Sequence, residues 1–214
     1  MHSRQESLGC ASDAECTLSD AELEWPARYS PSSISINGML HGETVELRSR
    51  IESDVAVLHT ELYDNVATRM RGDNRPWLPL AAGSPHSPFR IGDPREDVAF
   101  FSVVERASSE LAGEALVYAI DGHNRTGHVG LALRPAFRGR GLAGETLALL
   151  CRYGFDVRGL NRLQLETLSD NEPMINTALS VGFVEEGRLR SSRSLGGSFV
   201  DEVVFGLLAS ERAQ

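Results

Sequence analysis

Between Leu131 and Gly144 the chain reads Leu-Ala-Leu-Arg-Pro-Ala-Phe-Arg-Gly-Arg-Gly-Leu-Ala-Gly, and no other stretch constrains the fold as strongly. A β-prone run stops at Pro135, and a glycine-bearing loop follows. A helical pattern then opens at Leu142 and continues to about Val157, with Leu147, Leu150, Cys151 and Gly154 along one face. The first turn of a helix has N–H groups without intrahelical partners and carries the positive end of the dipole, so such a loop is an anion site. Small residues at 139, 141, 143 and 144 let the backbone approach phosphate oxygens closely. The segment predicts a strand–loop–helix unit that cradles a phosphate.

Two kinds of ligand compete for that loop. Gly139 to Gly144 fits G-x-G-x-x-G, and Glu166 lies where a dinucleotide fold places its ribose-binding carboxylate. Three features count against a dinucleotide. Its fingerprint turns straight from strand into glycine, whereas Arg134–Arg138 intervene here. The preceding strands are joined by short turns, not helical crossovers. The chain also ends in a glycine-turn hairpin, where a doubly wound sheet would need its second half. A Walker A loop is excluded, because no Gly-Lys-Ser/Thr follows.

Around this unit the pattern is regular. Residues 1–38 are rich in Ser, Ala, Asp and Glu with no sustained period, and are expected to form a disordered N-terminal extension to a domain spanning 39–210. Val45–Arg50 predicts a strand. Val57, Leu58, Leu62 and Val66 predict a helix from Ser53 to about Arg69, capped by Ser53 or Asp54. Gly72–Pro94 carries five prolines and Trp77 and reads as a long loop that lines a binding site. Strands follow at Val98–Glu105, Leu111–Ile120, Gly127–Arg134 and Arg162–Leu168. Asp170 or Asn171 caps a further helix that Gly182 ends, and two strands flank Gly196-Gly197. The order β-α-β-β-β-α-β-α-β-β predicts an α/β fold: a mixed, mostly antiparallel twisted sheet flanked by helices, in a single domain.

Composition narrows the function classes. No run approaches the ~18 apolar residues needed to cross a bilayer, so no membrane partner is expected. No basic segment precedes an apolar one at the start, which makes the cytoplasm the default location. A net charge of −9 argues against a nucleic-acid surface. It suits a cationic partner such as an amine, or serves only solubility. Cys10, Cys16 and Cys151 lack zinc-ligand spacing; no metal is expected, and Cys151 reads as a small core residue.

Arg138-Gly139-Arg140-Gly141-Leu142-Ala143 resembles the Arg-x-x-Gly-x-Gly/Ala signature of the GNAT N-acetyltransferases. The wider pattern is similar to the RimJ/RimL-type branch, which acetylates ribosomal-protein N-termini. Val45-Glu-Leu-Arg48 with Glu52-Ser-Asp54 resembles its opening strand and helix. Asn171, eleven residues before Gly182-Phe183, fits its second cofactor motif, and Gly182-Phe-Val-Glu-Glu-Gly187 and Gly197-Ser-Phe-Val-Asp201 its closing hairpin. The resemblance covers about Gly42 to Leu208 and implies acetyl-CoA as donor, CoA as product and a homodimer. It implies that backbone groups of Arg138, Gly139, Arg140, Gly141, Leu142, Ala143 and Gly144 hold the pyrophosphate. Leu131, Ala132 and Leu133 would pair with the pantetheine amides as an added strand does. Asn171 would contact the pantetheine arm or the adjacent helix; as a residue type it also suits a helix cap.

Acetyl transfer needs a neutral amine, a donor for the developing oxyanion and a proton for the departing thiolate. Alternation along Gly127–Arg134 puts His128, Gly130, Ala132 and Arg134 on one face, nearly bare beyond the histidine. His128 stands where many family members carry a glutamate, and an imidazole suits a general base, directly or through water. The alternative is a histidine that only hydrogen-bonds. Glu114 is a second candidate, for holding the amine. Relatives often place a Ser or Tyr acid where this chain has Met174 and Ala178, and Asn176, Thr177 and Ser180 are weak substitutes, so water or a free thiolate fills that part. Trp77 either lines the acceptor side or anchors a core. The acceptor is a small cationic amine or a protein N-terminus. A CoA-binding sensor without turnover and a succinyl-CoA enzyme, with Arg134 near the acyl group, are the alternatives.

Overall fold

The computed structural model describes residues 40–213, so the extension 1–38, Cys10 and Cys16 lie outside the described residues. Two strands open the domain, β1 (Leu40–His41) and β2 (Val45–Arg48). Helix α1 (Glu52–Leu58) leads through a π-helical turn (His59–Tyr63) into α2 (Val66–Gly72). Three long strands follow: β3 (Ala99–Glu105), β4 (Glu110–Asp121) and β5 (Thr126–Leu133). Then come α3 (Leu142–Arg152), β6 (Arg162–Leu168), α4 (Glu172–Val181), β7 (Val184–Leu195) and β8 (Ser198–Leu208). The sheet order is β1-β2-β3-β4-β5-β6-β8-β7. Among the described residues only β5 and β6 pair in parallel, joined by the α3 crossover that a parallel pair requires.

Alternation gives each face its own cargo. Val45, Leu47, Val103, Val117, Val129, Leu163, Leu165, Val203 and Phe205 build the main core with Leu147, Leu150 and Cys151 of α3 and Ala178 of α4. The other face carries a smaller cluster, Val55, Leu58, Leu62, Tyr63 and Phe89, with Trp77, Leu80, Leu111 and Ala132 packed on it. The Pro-rich loop and α1–α2 therefore cover one end of the sheet face that the large helices leave free.

The expected continuous helix from Ser53 to Arg69 is broken. Buried His59 bonds the Leu80 carbonyl (2.9 Å) and the Ser87 hydroxyl (3.3 Å), and the Tyr63 hydroxyl donates to the Leu78 carbonyl (2.8 Å). The π-helical turn holds both rings, stacked at 4.9 Å, against the Pro-rich loop. A new start at Asn65, whose side chain accepts the Thr68 N–H, then opens α2. Nor does Ser53 or Asp54 cap α1: Ile51 is the N-cap, and Asp54 in the first turn accepts the Ile51 N–H (3.0 Å). Asp54 also accepts from Arg48 (2.6 and 2.9 Å) and Ser102 (2.7 Å). Burial alone would raise its pKa; these bonds overcome that and hold it below the usual 3.8.

One carboxylate ties the first turn of α3 to the start of the sheet. Glu145 accepts the N–H groups of Thr44 (2.8 Å) and Val45 (3.0 Å), and also the Glu43 N–H and the Thr44 hydroxyl. A Cβ on Gly42 would fall 2.2 Å from its Oε1, so a larger residue in the β1–β2 turn would have to displace the Glu145 carboxylate. Glu145→Ala should lower unfolding stability by about 2–3 kcal/mol, because it strands backbone donors at a partly buried site. Urea unfolding with an unchanged slope would measure it. A loss under about 0.5 kcal/mol would show the contact to be incidental.

Candidate active site

The ladder between β5 and β6 runs over three residue pairs, Thr126↔Arg162, Gly127↔Leu163 and His128↔Gln164, and no further pair joins them among the described residues. On its other side β5 stays paired with β4 from Tyr118↔His128 to Gly113↔Leu133. From Val129 onward β5 presents one edge to a fork, where an extended ligand can add as a strand. At the far end of the fork lies the glycine loop. Gly139 and Gly141 have φ of +71° and +78°, with nothing within 4 Å of a Cβ built on either. Gly141 is the N-cap of α3, and Leu142 buries its side chain in the core. Arg138 donates to the Leu133 carbonyl (2.9 Å) and Thr68 (3.2 Å), while Arg140 pairs with Glu105 (2.5 Å) over the Phe137 ring. Both arginine side chains brace the loop.

At the root of the fork, cross-strand pairing puts Tyr118 of β4, His128 of β5 and Gln164 of β6 in one row. His128 Nδ1 lies 3.0 Å from Glu166 Oε1. Gln164 donates to Glu166 Oε1 (2.6 Å) and the Tyr118 hydroxyl to Oε2 (3.4 Å). Burial, with the Glu166 charge beside it, pushes Tyr118 up to about 12. Burial would also raise Glu166, yet the bonds from His128 and Gln164 hold it below the usual carboxylate value, so it is ionised at neutral pH.

The structure does not bring the other predicted residues to this row. Glu114 lies four positions along β4 from Tyr118 and pairs with Arg50 at 2.8 Å. Burial pushes its carboxyl up, against the pull of Arg50. Arg50 in turn lies over the rings of Phe89 (5.5 Å) and Phe100 (5.6 Å). Trp77 donates its ring N–H to the Tyr63 carbonyl (3.1 Å) and packs on the smaller cluster. Arg134 leaves the strand face and binds Glu61 and the Leu111 carbonyl. Asn171 occupies the N-cap position of α4 without a side-chain cap bond; its amide donates to Thr167 (2.9 Å) at the end of β6. Among the weak acid candidates, the Thr177 and Ser180 hydroxyls donate to the Pro173 and Thr177 carbonyls, both at 2.8 Å. Ala178 is fully buried.

The acetyltransferase (GNAT) domain matches residues 44–184 of this chain. The chain belongs to the GNAT acetyltransferase family. Over 113 residues it is 32% identical to the uncharacterized N-acetyltransferase p20 of Bacillus licheniformis, covering 53% of this chain and 64% of that protein. To the putative ribosomal N-acetyltransferase YdaF of Bacillus subtilis it is 29% identical, covering 47% and 55%. The match thus spans less than two thirds of each of these two curated relatives. The crystal structure of spermidine N-acetyltransferase from Vibrio cholerae, in complex with CoA and spermine, superposes with a TM-score of 0.69 at 19% identity, covering 81% of this chain and all of that one. At that identity the likeness is one of fold.

In the sequence Glu166 stands out only as a ribose ligand. The signal for its actual place was present: a crossover strand lies parallel to its predecessor, so the polar alternation Gln164, Glu166 falls on the side of His128. Arg50 gave no such signal, since it follows β2 in a connection. Arg50→Met should cost about 3 kcal/mol, because it leaves Glu114 buried without its cation. Adding Glu114→Met should recover at least half of that. Denaturant unfolding of both variants checks this, and a single-variant cost below about 1 kcal/mol would contradict it.

Proposed function

We propose that this protein transfers an acetyl group from acetyl-CoA to a primary amine, with the acyl arm lying in the fork between β5 and β6. The observation that carries this reading is the fork itself, rooted at His128 and closed at its far end by the glycine loop. The residues fit CoA. An open strand edge at Leu131, Ala132 and Leu133 suits the amides of its arm. Open space at Gly139 and Gly141 beside the start of α3, through Ala143 and Gly144, suits its pyrophosphate. Asn171, at the N-cap of α4 just after β6, is the candidate to contact the arm. Bound acetyl-CoA supplies the acyl thioester.

His128, through Nε2, takes the proton from the incoming ammonium. Glu114 is held by Arg50 and shapes the acceptor side instead of offering a free charge. Trp77, with Tyr63, forms a wall of that side. With Thr177 and Ser180 committed to helix carbonyls, water serves the departing thiolate: as the C–N bond forms and the C–S bond breaks, the amine nitrogen gives up its second proton, which reaches the thiolate through water. Arg134 is committed to Glu61, which favours an acetyl over an anionic succinyl group. The acceptor is a small cationic amine or a protein N-terminus, as the names of the spermidine and ribosomal relatives suggest. The reaction is placed in the cytoplasm, where acetyl-CoA is supplied. A homodimer fits the exposed β7 edge, where Val184 and Leu189 face outward.

Acetyl-CoA at 100 times its Kd should stabilise the protein by ~2.7 kcal/mol in a thermal shift, and NADH should not. Thiol release with spermidine and with an N-terminal peptide then identifies the acceptor class. Trp77→Ala should raise the acceptor KM and leave acetyl-CoA affinity intact. Stabilisation by NADH alone would overturn the reading and return Gly139–Gly144 with Glu166 to a dinucleotide.

A further inference from the structure

Glu166 is the carboxylate that bonds the row at the root of the fork, and acetyl transfer as described above gives it no task. Its placement is built from three strands. Alternation on β6 sets Gln164 and Glu166 on the face of His128, where the parallel ladder has just ended. The carboxylate is held by two donors besides the imidazole, Gln164 at 2.6 Å and Tyr118 at 3.4 Å. The Tyr118 ring flanks the imidazole at 5.3 Å between centroids. The side chains of His128 and Glu166 remain 30% and 23% exposed, so an acceptor can still reach the imidazole.

We propose that Glu166 is a positioning residue, which accepts the Nδ1–H of His128 and so leaves Nε2 as the unprotonated nitrogen that faces the acceptor amine. This rests on His128 being the base. A carboxylate 3.0 Å from Nδ1 requires the proton on that nitrogen, and the bonds from Gln164 and Tyr118 prevent the carboxylate from turning away. When Nε2 takes a proton from the ammonium, the N–H bond breaks and its electron pair stays on the amine nitrogen as the attacking lone pair. The imidazole becomes imidazolium, and its new charge lies beside an ionised carboxylate. The proton then passes to water, which restores the starting tautomer.

The test combines ring spectroscopy with kinetics. Long-range ¹H–¹⁵N spectra of the free protein should show His128 with Nδ1 protonated and Nε2 unprotonated, and Glu166→Leu should convert this to a tautomer mixture. Glu166→Gln should lower kcat about tenfold or more while each KM stays within about twofold. Added to His128→Ala, it should change kcat by less than about twofold, because a positioning residue has nothing left to position. A His128→Ala protein as active as the wild type would remove the base assignment and the proposal with it. A disabled His128→Ala beside a fully active Glu166→Gln, with the Glu166→Leu ring tautomer unmoved, would overturn the role of Glu166 alone.

Discussion

Three residue pairs hold β5 to β6, and what lies beyond the third determines the site. Backbone groups along an open strand edge must find partners in water or in a ligand, so a fork inside a sheet can pair with an extended chain of amides. The fork and the phosphate loop are also parts of one covalent unit. A parallel pair needs a crossover, α3 supplies it, and the N-terminus of that crossover is the glycine loop. Glu145 then fixes the first turn of α3 to the β1–β2 turn, so the glycine-loop end of α3 is set by the sheet itself.

The two faces of the sheet do different work. The α3–α4 face is a broad apolar core that sets strand positions. The other face, under α1–α2 and the Pro-rich loop, is a small aromatic cluster laced with ion pairs: Arg48–Asp54, Arg50–Glu114 and Arg69–Asp73. Carboxylates there already have arginine partners, so the net charge of −9 does not become a free acidic pocket at this end. Glu166, at the root of the fork, instead has a histidine as its ionisable partner.

Much of this was legible in the sequence. Alternation marked the long strands, Gly182 and Gly196-Gly197 marked the ends they set, and Leu131–Gly144 marked the strand–loop–helix unit because its signals are local. The single helix drawn through Ser53–Arg69 failed, since the π-helical turn answers to Leu80 and Ser87, more than twenty residues away. Glu145 and Arg50 were invisible for the same reason: their partners are 100 and 64 residues distant. Trp77 and Asn171 each had two readings. The structure puts Trp77 on Tyr63 and gives Asn171 a bond to Thr167 in place of a cap bond.

Amide hydrogen exchange with and without CoA tests most directly whether the fork is the cofactor site. Protection concentrated in Val129–Leu133 and Gly139–Gly144, with little change across β7 and β8, is the predicted result. Protection elsewhere, or none in those two segments at saturating CoA, would contradict it.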